Sequence, residues 1–141
     1  MTIKAVKAII LVNKNYLLQL RDRKKNISFP NHWGLFGGRI DKKENNIIAL
    51  KREIKEETNL NIKINRRVFN VNFDIIGLKK KRNLQYYECE IIGKKKIKLS
   101  EGTKYKFFSF QQLKKLNIVP MDFVALKSHY LHNNHFISIY R

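Results

Sequence analysis

The chain has one cysteine, two prolines, one tryptophan and 11 acidic residues against 30 Lys and Arg. A single cysteine excludes an intrachain disulfide and fits a reducing compartment, with the cytoplasm as the default. No apolar stretch approaches the ~18 residues of a membrane span. The N-terminal run from Ala8 to Val12 is short and preceded by Lys4 and Lys7. No small-residue cleavage site follows, so it reads as a first strand rather than a signal peptide. The four histidines, His32, His129, His132 and His135, show no HExxH pattern or matching cysteine spacing, which argues against zinc. Walker-type and dinucleotide glycine fingerprints are absent. With neither internal repeats nor a linker, the 141 residues read as one domain, 1–141.

Hydrophobic residues make up 43% and aromatic residues 11%, enough to exclude disorder and to bury a core. Cys89 reads as a small buried hydrophobe. The formal net charge of +19 gathers in Lys79-Lys80-Lys81-Arg82 and in Lys94-Lys95-Lys96. These runs have two readings: an electrostatic footprint for RNA or polyphosphate, or compositional drift in a chain also rich in Asn and Ile. Either way a basic surface steers anions.

Against that background the acids are unevenly placed. Glu44, Glu53, Glu56 and Glu57 fall within fourteen positions of a chain with seven glutamates. Carboxylates at helical neighbour spacing repel, and a hard, oxygen-seeking cation is what offsets that repulsion. On a helix, Glu53, Glu56 and Glu57 share one arc, being related by i, i+3 and i+4. Ile47, Leu50 and Ile54 form an apolar stripe beside it. Asn45 or Asn46 supplies the N-cap, and Asn59 ends the helix in the left-handed region. The alternative is a solvated face whose glutamates pair with Lys51, Arg52 and Lys55.

Around this helix the pattern predicts a hairpin of Ile3 to Val12 and Tyr16 to Arg21. A loop or short strand from Asn26 to Gly38 follows. Further strands run from Leu60 to Ile76, Leu84 to Ile92 and Lys104 to Phe110, with residues 77–83 as a turn. Ser109 and Gln112 form a capping box opening a short helix to Leu116. Pro120 and Asp122 start a last helix to about Leu131, with Phe123, Leu126 and Tyr130 on one side. Strands interleaved with helices, without a βαβ repeat, indicate an α/β or α+β sandwich on a mixed sheet.

The segment from Gly38 to Leu60 resembles the Nudix box, Gly-x5-Glu-x7-Arg-Glu-U-x-Glu-Glu-x-Gly-U, where U is a bulky aliphatic. Gly38, Glu44, Arg52, Glu53, Ile54, Glu56, Glu57 and Leu60 match; Asn59 stands in place of the second Gly. The preceding segment from Phe29 to Gly38 also resembles the family, with Phe36 where many members have Pro. The late residues Glu101-Gly102, Phe107-Phe108, Leu113, Pro120 and Asp122 resemble one bacterial branch. The resemblance implies an α-β-α sandwich with the box as a loop-helix-loop. It also implies an Mg²⁺- or Mn²⁺-dependent hydrolase of a diphosphate linkage in a nucleoside-diphosphate derivative.

On this reading Glu53, Glu56 and Glu57 bind metal with the Gly38 carbonyl, Arg52 orients a box glutamate, and Glu44 braces the loop-helix-loop. The general base is Glu53 or Glu101. Arg21, Phe29, Trp33 and Phe36 are candidates to hold substrate, the aromatics by stacking. A small nucleotide (an NTP, oxidised dNTP or nucleotide sugar) is the expected substrate. The alternatives are an RNA 5′-end pyrophosphohydrolase and a non-catalytic nucleotide- or RNA-binding module. A homodimer is compatible with the family.

Overall fold

Alternation in the first strand decides the layering. In the computed structural model, which describes residues 2–24, 27–75, 77, 80–100, 102 and 104–139, the elements run in the following order. β1 (Thr2–Val12), β2 (Asn15–Leu20), β3 (Trp33–Gly34) and β4 (Phe36–Arg39) precede α1 (Asn46–Thr58). β5 (Asn61–Ile75), β6 (Lys80–Ile92), β7 (Lys104–Phe108), α2 (Phe110–Leu113) and α3 (Pro120–Ile139) follow. Val6, Ala8 and Ile10 of β1 point to one face of the sheet and Ile9 to the other, all four at most 1% exposed.

β1 is the centre of the seven-stranded sheet, whose main path is β3-β2-β1-β6-β5 with β4 added to β1 and β7 to β2. β6 runs parallel to β1 from the Thr2–Lys81 pair to Ile10–Cys89. β4 runs antiparallel along its opposite side, from Ala5–Arg39 to Ala8–Phe36. The sheet is therefore mixed, as expected. The first hairpin turns through Asn13 and Lys14, with φ of 50° and 65°, and pairs Val12 with Asn15. Two consecutive positive-φ residues are the geometry that matches strand twist in a two-residue hairpin.

One face packs α1 through Ala49, Leu50 and Ile54 onto Val6, Ala8, Ile10, Tyr87 and Cys89. The other packs α2 and α3, through Phe110, Leu113, Ala125 and Leu126, onto Ile9, Leu18 and Tyr86. Each fully buried Leu or Ile contributes roughly 1.5–3 kcal/mol by leaving water. Helix, sheet, helix is the expected sandwich. Cys89 lies in the α1-side core, where burial and then the Glu88 charge push its thiol up to about 12. That makes it an inert apolar group, as its sequence context indicates.

Some boundaries differ from expectation. Residues 80–83, expected as turn, belong to β6, because they pair with β5 from Ile75–Lys80 to Asn72–Asn83. Phe110, expected in a strand, opens α2 instead. The Ser109–Gln112 capping box is present, but the helix ends at Leu113. α3 continues past Leu131 to Ile139. On α1 the buried side is Ala49, Leu50, Ile54, Glu57 and Thr58, while Ile47 is 39% exposed. The apolar stripe is thus turned toward the carboxylate arc, and Glu57 falls inside it. Among the described residues no helix is long and apolar enough to cross a membrane.

Candidate active site

α1 holds the site because both of its ends are fixed. Asn45 accepts from the Ile48 N–H, and Asn59 closes the helix at φ 68° with its own N–H on the Lys55 carbonyl. The residue standing where the box has glycine thus adopts the left-handed conformation the position requires. Lys98 and Ser100 donate backbone N–H groups to the Thr58 and Glu57 carbonyls, so these two terminal acceptors are satisfied by the chain itself.

Arg52 is the hub of the box charges. Its guanidinium grips Glu44 with two bonds, Nε to Oε2 at 2.6 Å and NH2 to Oε1 at 2.8 Å. It also reaches Glu53 at 3.0 Å, Glu56 at 3.2 Å and the Arg39 carbonyl at 3.2 Å. The hydrogen bond from Arg52 holds the Glu44 carboxyl below the usual carboxylate range. Glu44 also accepts from the Asp41 N–H at 3.0 Å, so it links the loop before α1 to the helix.

The carboxylates divide into two sets. Glu56 is exposed and turned to Arg52. Glu57 is 7% exposed and accepts from the Gly37 N–H at 3.0 Å. Glu53 lies flat against the next glycine: a Cβ built on Gly38 would sit 2.5 and 2.6 Å from its two carboxylate oxygens. Any larger residue there would push the Glu53 carboxylate out of this position. At Gly37, φ is 155° and a Cβ would overlap the Val6 carbonyl. The glycine pair is the surface on which two box glutamates rest.

Glu57 and the glycine pair, but neither Glu53 nor Glu56, line an adjoining cavity of about 710 Å³, within the usual range of small-molecule clefts. Gly37, Gly38, Arg39 and Glu57 form one edge, and Arg21, Lys24 and Phe29 close over it. The floor comes from β1, β5 and β6 through Ala5, Lys7, Phe73, Arg82 and Leu84. Asp122, from the first turn of α3, is fully buried yet reaches the cavity wall. It accepts from Lys7 Nζ at 3.0 Å, the Leu35 N–H at 2.9 Å and the Tyr86 hydroxyl at 2.7 Å. Burial, and then the charge of Asp122, raise the Tyr86 hydroxyl well above its ordinary range, so it remains a donor.

Not every predicted residue reaches this place. Arg21 lines the cavity and donates to the Ser28 carbonyl at 2.9 Å, and Phe29 lines it at 45% exposure. Phe36 does not: at 1% exposed it belongs to the core under α1, on the opposite face of the sheet. Trp33 packs edge-on against Phe108 at 4.8 Å with Lys104 over its ring, away from the cavity lining. Both aromatics are loop and core anchors rather than stacking platforms. Arg52 and Glu44 also stand outside the cavity, on the solvent side of α1. Glu101 lies outside the described residues.

Sequence reasoning missed Lys7, Arg82 and Phe73 as site residues, and saw Asp122 as a helix start and a point of family resemblance rather than as part of the cavity wall. One signal was available. Lys7 interrupts the apolar series of β1 at a position facing the α3-side core, and an inward lysine requires a buried partner.

The candidate donors are all oxygens, which fits a hard divalent cation in chemistry. Among the described residues, however, no three His, Cys, Asp or Glu side chains converge on one point. Arg52 draws Glu53 and Glu56 one way, and the Gly37 N–H holds Glu57 another.

The NUDIX domain model matches residues 1–127. The chain belongs to the Nudix family. Among solved structures it resembles a MutT protein from Methanosarcina mazei Go1, at 22% identity and a TM-score of 0.79, over 94% of this chain and 96% of that one. The MutT Nudix hydrolase of methicillin-resistant Staphylococcus aureus 252 shares 28% identity at a TM-score of 0.71, over 90% and 94% of the two chains. An Ap4A hydrolase from C. elegans shares 21% at a TM-score of 0.71, over 91% and 95%. No curated protein matches the sequence significantly. This Nudix chain is a Nudix-type pyrophosphohydrolase with the family's mixed α/β architecture.

Proposed function

We propose that the chain hydrolyses a diphosphate linkage in a small nucleoside-diphosphate derivative, such as an NTP, an oxidised dNTP or a nucleotide sugar, using Mg²⁺ or Mn²⁺. The observation that carries this reading is the shared boundary of box and cavity. Glu57 and the Gly37–Gly38 pair form one edge of a pocket sized for one nucleotide and lined by several cations. MutT and Ap4A hydrolase relatives on the same fold support a nucleotide substrate.

Glu53, Glu56, Glu57 and the Gly38 carbonyl would hold the metal. Bound there, a divalent cation polarises phosphoryl oxygens and acidifies the attacking water. Arg39 and Arg21 offer cationic donors to the diphosphate from the cavity wall. Arg52 holds Glu53 and Glu56 on the helix face, and through Glu44 keeps the preceding loop in place. Glu53, resting on Gly38, is our choice for the group that takes the water's proton; Glu101 is the alternative.

Phosphate release with added pyrophosphatase, across nucleoside triphosphates, nucleotide sugars, dinucleoside polyphosphates and triphosphorylated RNA, tests the proposal. Metal-dependent turnover of one class supports it. A folded protein that binds nucleotides and hydrolyses none of them would be a binding module instead. One observation favours RNA as the second reading. Lys94, Lys95 and Lys96 are consecutive and all exposed just after β6. Replacing Lys94, Lys95 and Lys96 by Gln should then flatten the salt dependence of RNA binding.

A further inference from the structure

We infer that Gln19 reads a sugar hydroxyl of the substrate, so that the cavity takes a ribonucleotide in preference to a form lacking that hydroxyl. This rests on the cavity being a nucleotide site. Gln19 lies in β2, lines the cavity and is 5% exposed. Its carboxamide has no hydrogen-bond partner among the described residues. Nor is it sealed off, because the one side-chain polar atom among them that is both unpartnered and wholly inaccessible is the Arg82 Nε. Water in the cavity satisfies the amide in the free protein, and a ligand group replaces that water on binding.

Position says which part of the ligand arrives there. β2 and β4 share one edge of β1, through Leu11–Val12 and Ala5–Ala8, while β6 and then β5 lie along the other. Gln19 therefore stands on the side of the cavity that carries Gly37 and Gly38, away from Phe73 and Leu84. The Arg21 N–H bonds to the His32 carbonyl, which continues the β2–β3 ladder by one pair. Gln19 and Arg21 thus point to one face about 7 Å apart; both line the cavity, and Leu20 between them does not. With Arg21 on the diphosphate, Gln19 meets the group joined to it, which is the sugar. Gly102 keeps the space open: a Cβ there would sit 2.7 Å from Gln19 Oε1 and push the amide aside.

Chemistry says what is read. Phosphoryl oxygens only accept, and the cations of the lining, Arg21, Lys24 and Arg39 among them, suit them. A carboxamide is neutral and both donates and accepts, as a hydroxyl does. Asp22, the acid that follows Arg21 in the lining, repels phosphoryl groups and accepts from hydroxyls, which acts in the same direction. A deoxy ligand displaces the water and leaves the buried amide facing carbon. A site that bonds a substrate hydroxyl discriminates against the analogue lacking it for that reason.

The test compares the four ribonucleoside 5′-diphosphates with their 2′-deoxy and 3′-deoxy forms, by calorimetric binding to the intact protein in EDTA to prevent metal-dependent hydrolysis. For each base that binds, the ribo form should bind at least about tenfold tighter than one of the two deoxy forms, with the same hydroxyl mattering throughout. Gln19→Met, close in shape and without the amide, should bring that ratio close to one by weakening the ribo form. Its urea midpoint should hold or rise, because a buried unpaired polar group is gone. Equal binding of all three forms by the wild-type protein overturns the inference, whether or not the variant folds. So does a Gln19→Met variant that weakens all three alike, as loss of a purely structural glutamine would. Turnover of the matching triphosphates with Mg²⁺, measured in parallel, separates the two claims. A ribose preference in binding without turnover removes the hydrolase reading and leaves this one standing; turnover with equal binding does the reverse. No binding by any nucleotide removes the nucleotide reading and this inference with it.

Discussion

Arg52 and Asp122 each anchor a charged cluster, and the two clusters differ in their exposure to solvent. Arg52 sits on the outer side of α1 among carboxylates that include the exposed Glu56 and Asp41. Its partners come from one continuous stretch of sequence. Asp122 is fully buried, and its partners come from three separate segments, at Lys7, Leu35 and Tyr86. Water reaches the exposed members of the first cluster, so the pairs to Glu56 and Asp41 contribute little stability, and the two-bond pair to Glu44 carries most of what there is. Nothing screens the second, so it fixes α3, β1 and β6 around the cavity, and removing one member strands the others.

The comparison is broken if Asp122→Ala and Glu44→Gln behave alike. Asp122→Ala leaves Lys7 unpaired and the Tyr86 hydroxyl and Leu35 N–H without an acceptor. It should cost about 3–5 kcal/mol in urea unfolding, with a much smaller change for Glu44→Gln. Next in size is Glu57→Gln. A glutamine oxygen still accepts from the Gly37 N–H, so the unfolding midpoint should hold while kcat falls at least ~10²-fold. Wild-type turnover in that variant would remove Glu57 from the metal set.

A third test concerns a second buried group on the α3 side. His129 is fully buried between Tyr16, 2.9 Å from Nδ1, and Glu88, 2.7 Å from Nε2. The neutral ring with Nε2–H toward Glu88 satisfies both neighbours. Burial holds its pKa below the ordinary 6.5 despite Glu88. The unfolded chain therefore binds the proton first on acidification. The stabilisation from His129 is complete above about pH 6.5 and is lost as pH falls through the lower folded value. Melting temperature should drop with acid across that window, and His129→Gln should flatten the slope there. The smallest effect is expected at Asn59. Its φ of 68° suits glycine, and the side chain's bond to the Lys96 carbonyl is long at 3.4 Å. Asn59→Gly should shift unfolding by less than about 0.5 kcal/mol and leave kcat unchanged.

Legibility in the sequence followed contiguity. Helix α1, both of its caps, the Asn13–Lys14 turn and the Ser109 capping box depend on residues within a few positions of one another, and each was readable. Phe36 and Trp33 misled because an aromatic beside glycines looks the same whether it faces a ligand or a core. Only the pleat, which puts Leu35 and Phe36 on opposite faces of the sheet, separates the two cases. Residues 80–83 read as turn because polar, basic residues are poor strand formers taken alone. They become strand by pairing with β5.

The sequence by itself determined the chemistry this protein carries: three glutamates and an arginine at box spacing on one helix, a fourth glutamate in the loop before it, and Asn59 able to take the turn in glycine's place. Local geometry suffices for that, since one helix and its caps set where those side chains point. The tertiary structure alone decided what faces the chemistry. It put Gly37 and Gly38 under Glu57 and Glu53 and paired Lys7 with Asp122 across 115 positions. The glycine–glutamate contacts and the Lys7–Asp122 pair depend on strand register and on helix docking, and register is a property of the whole sheet rather than of any segment within it.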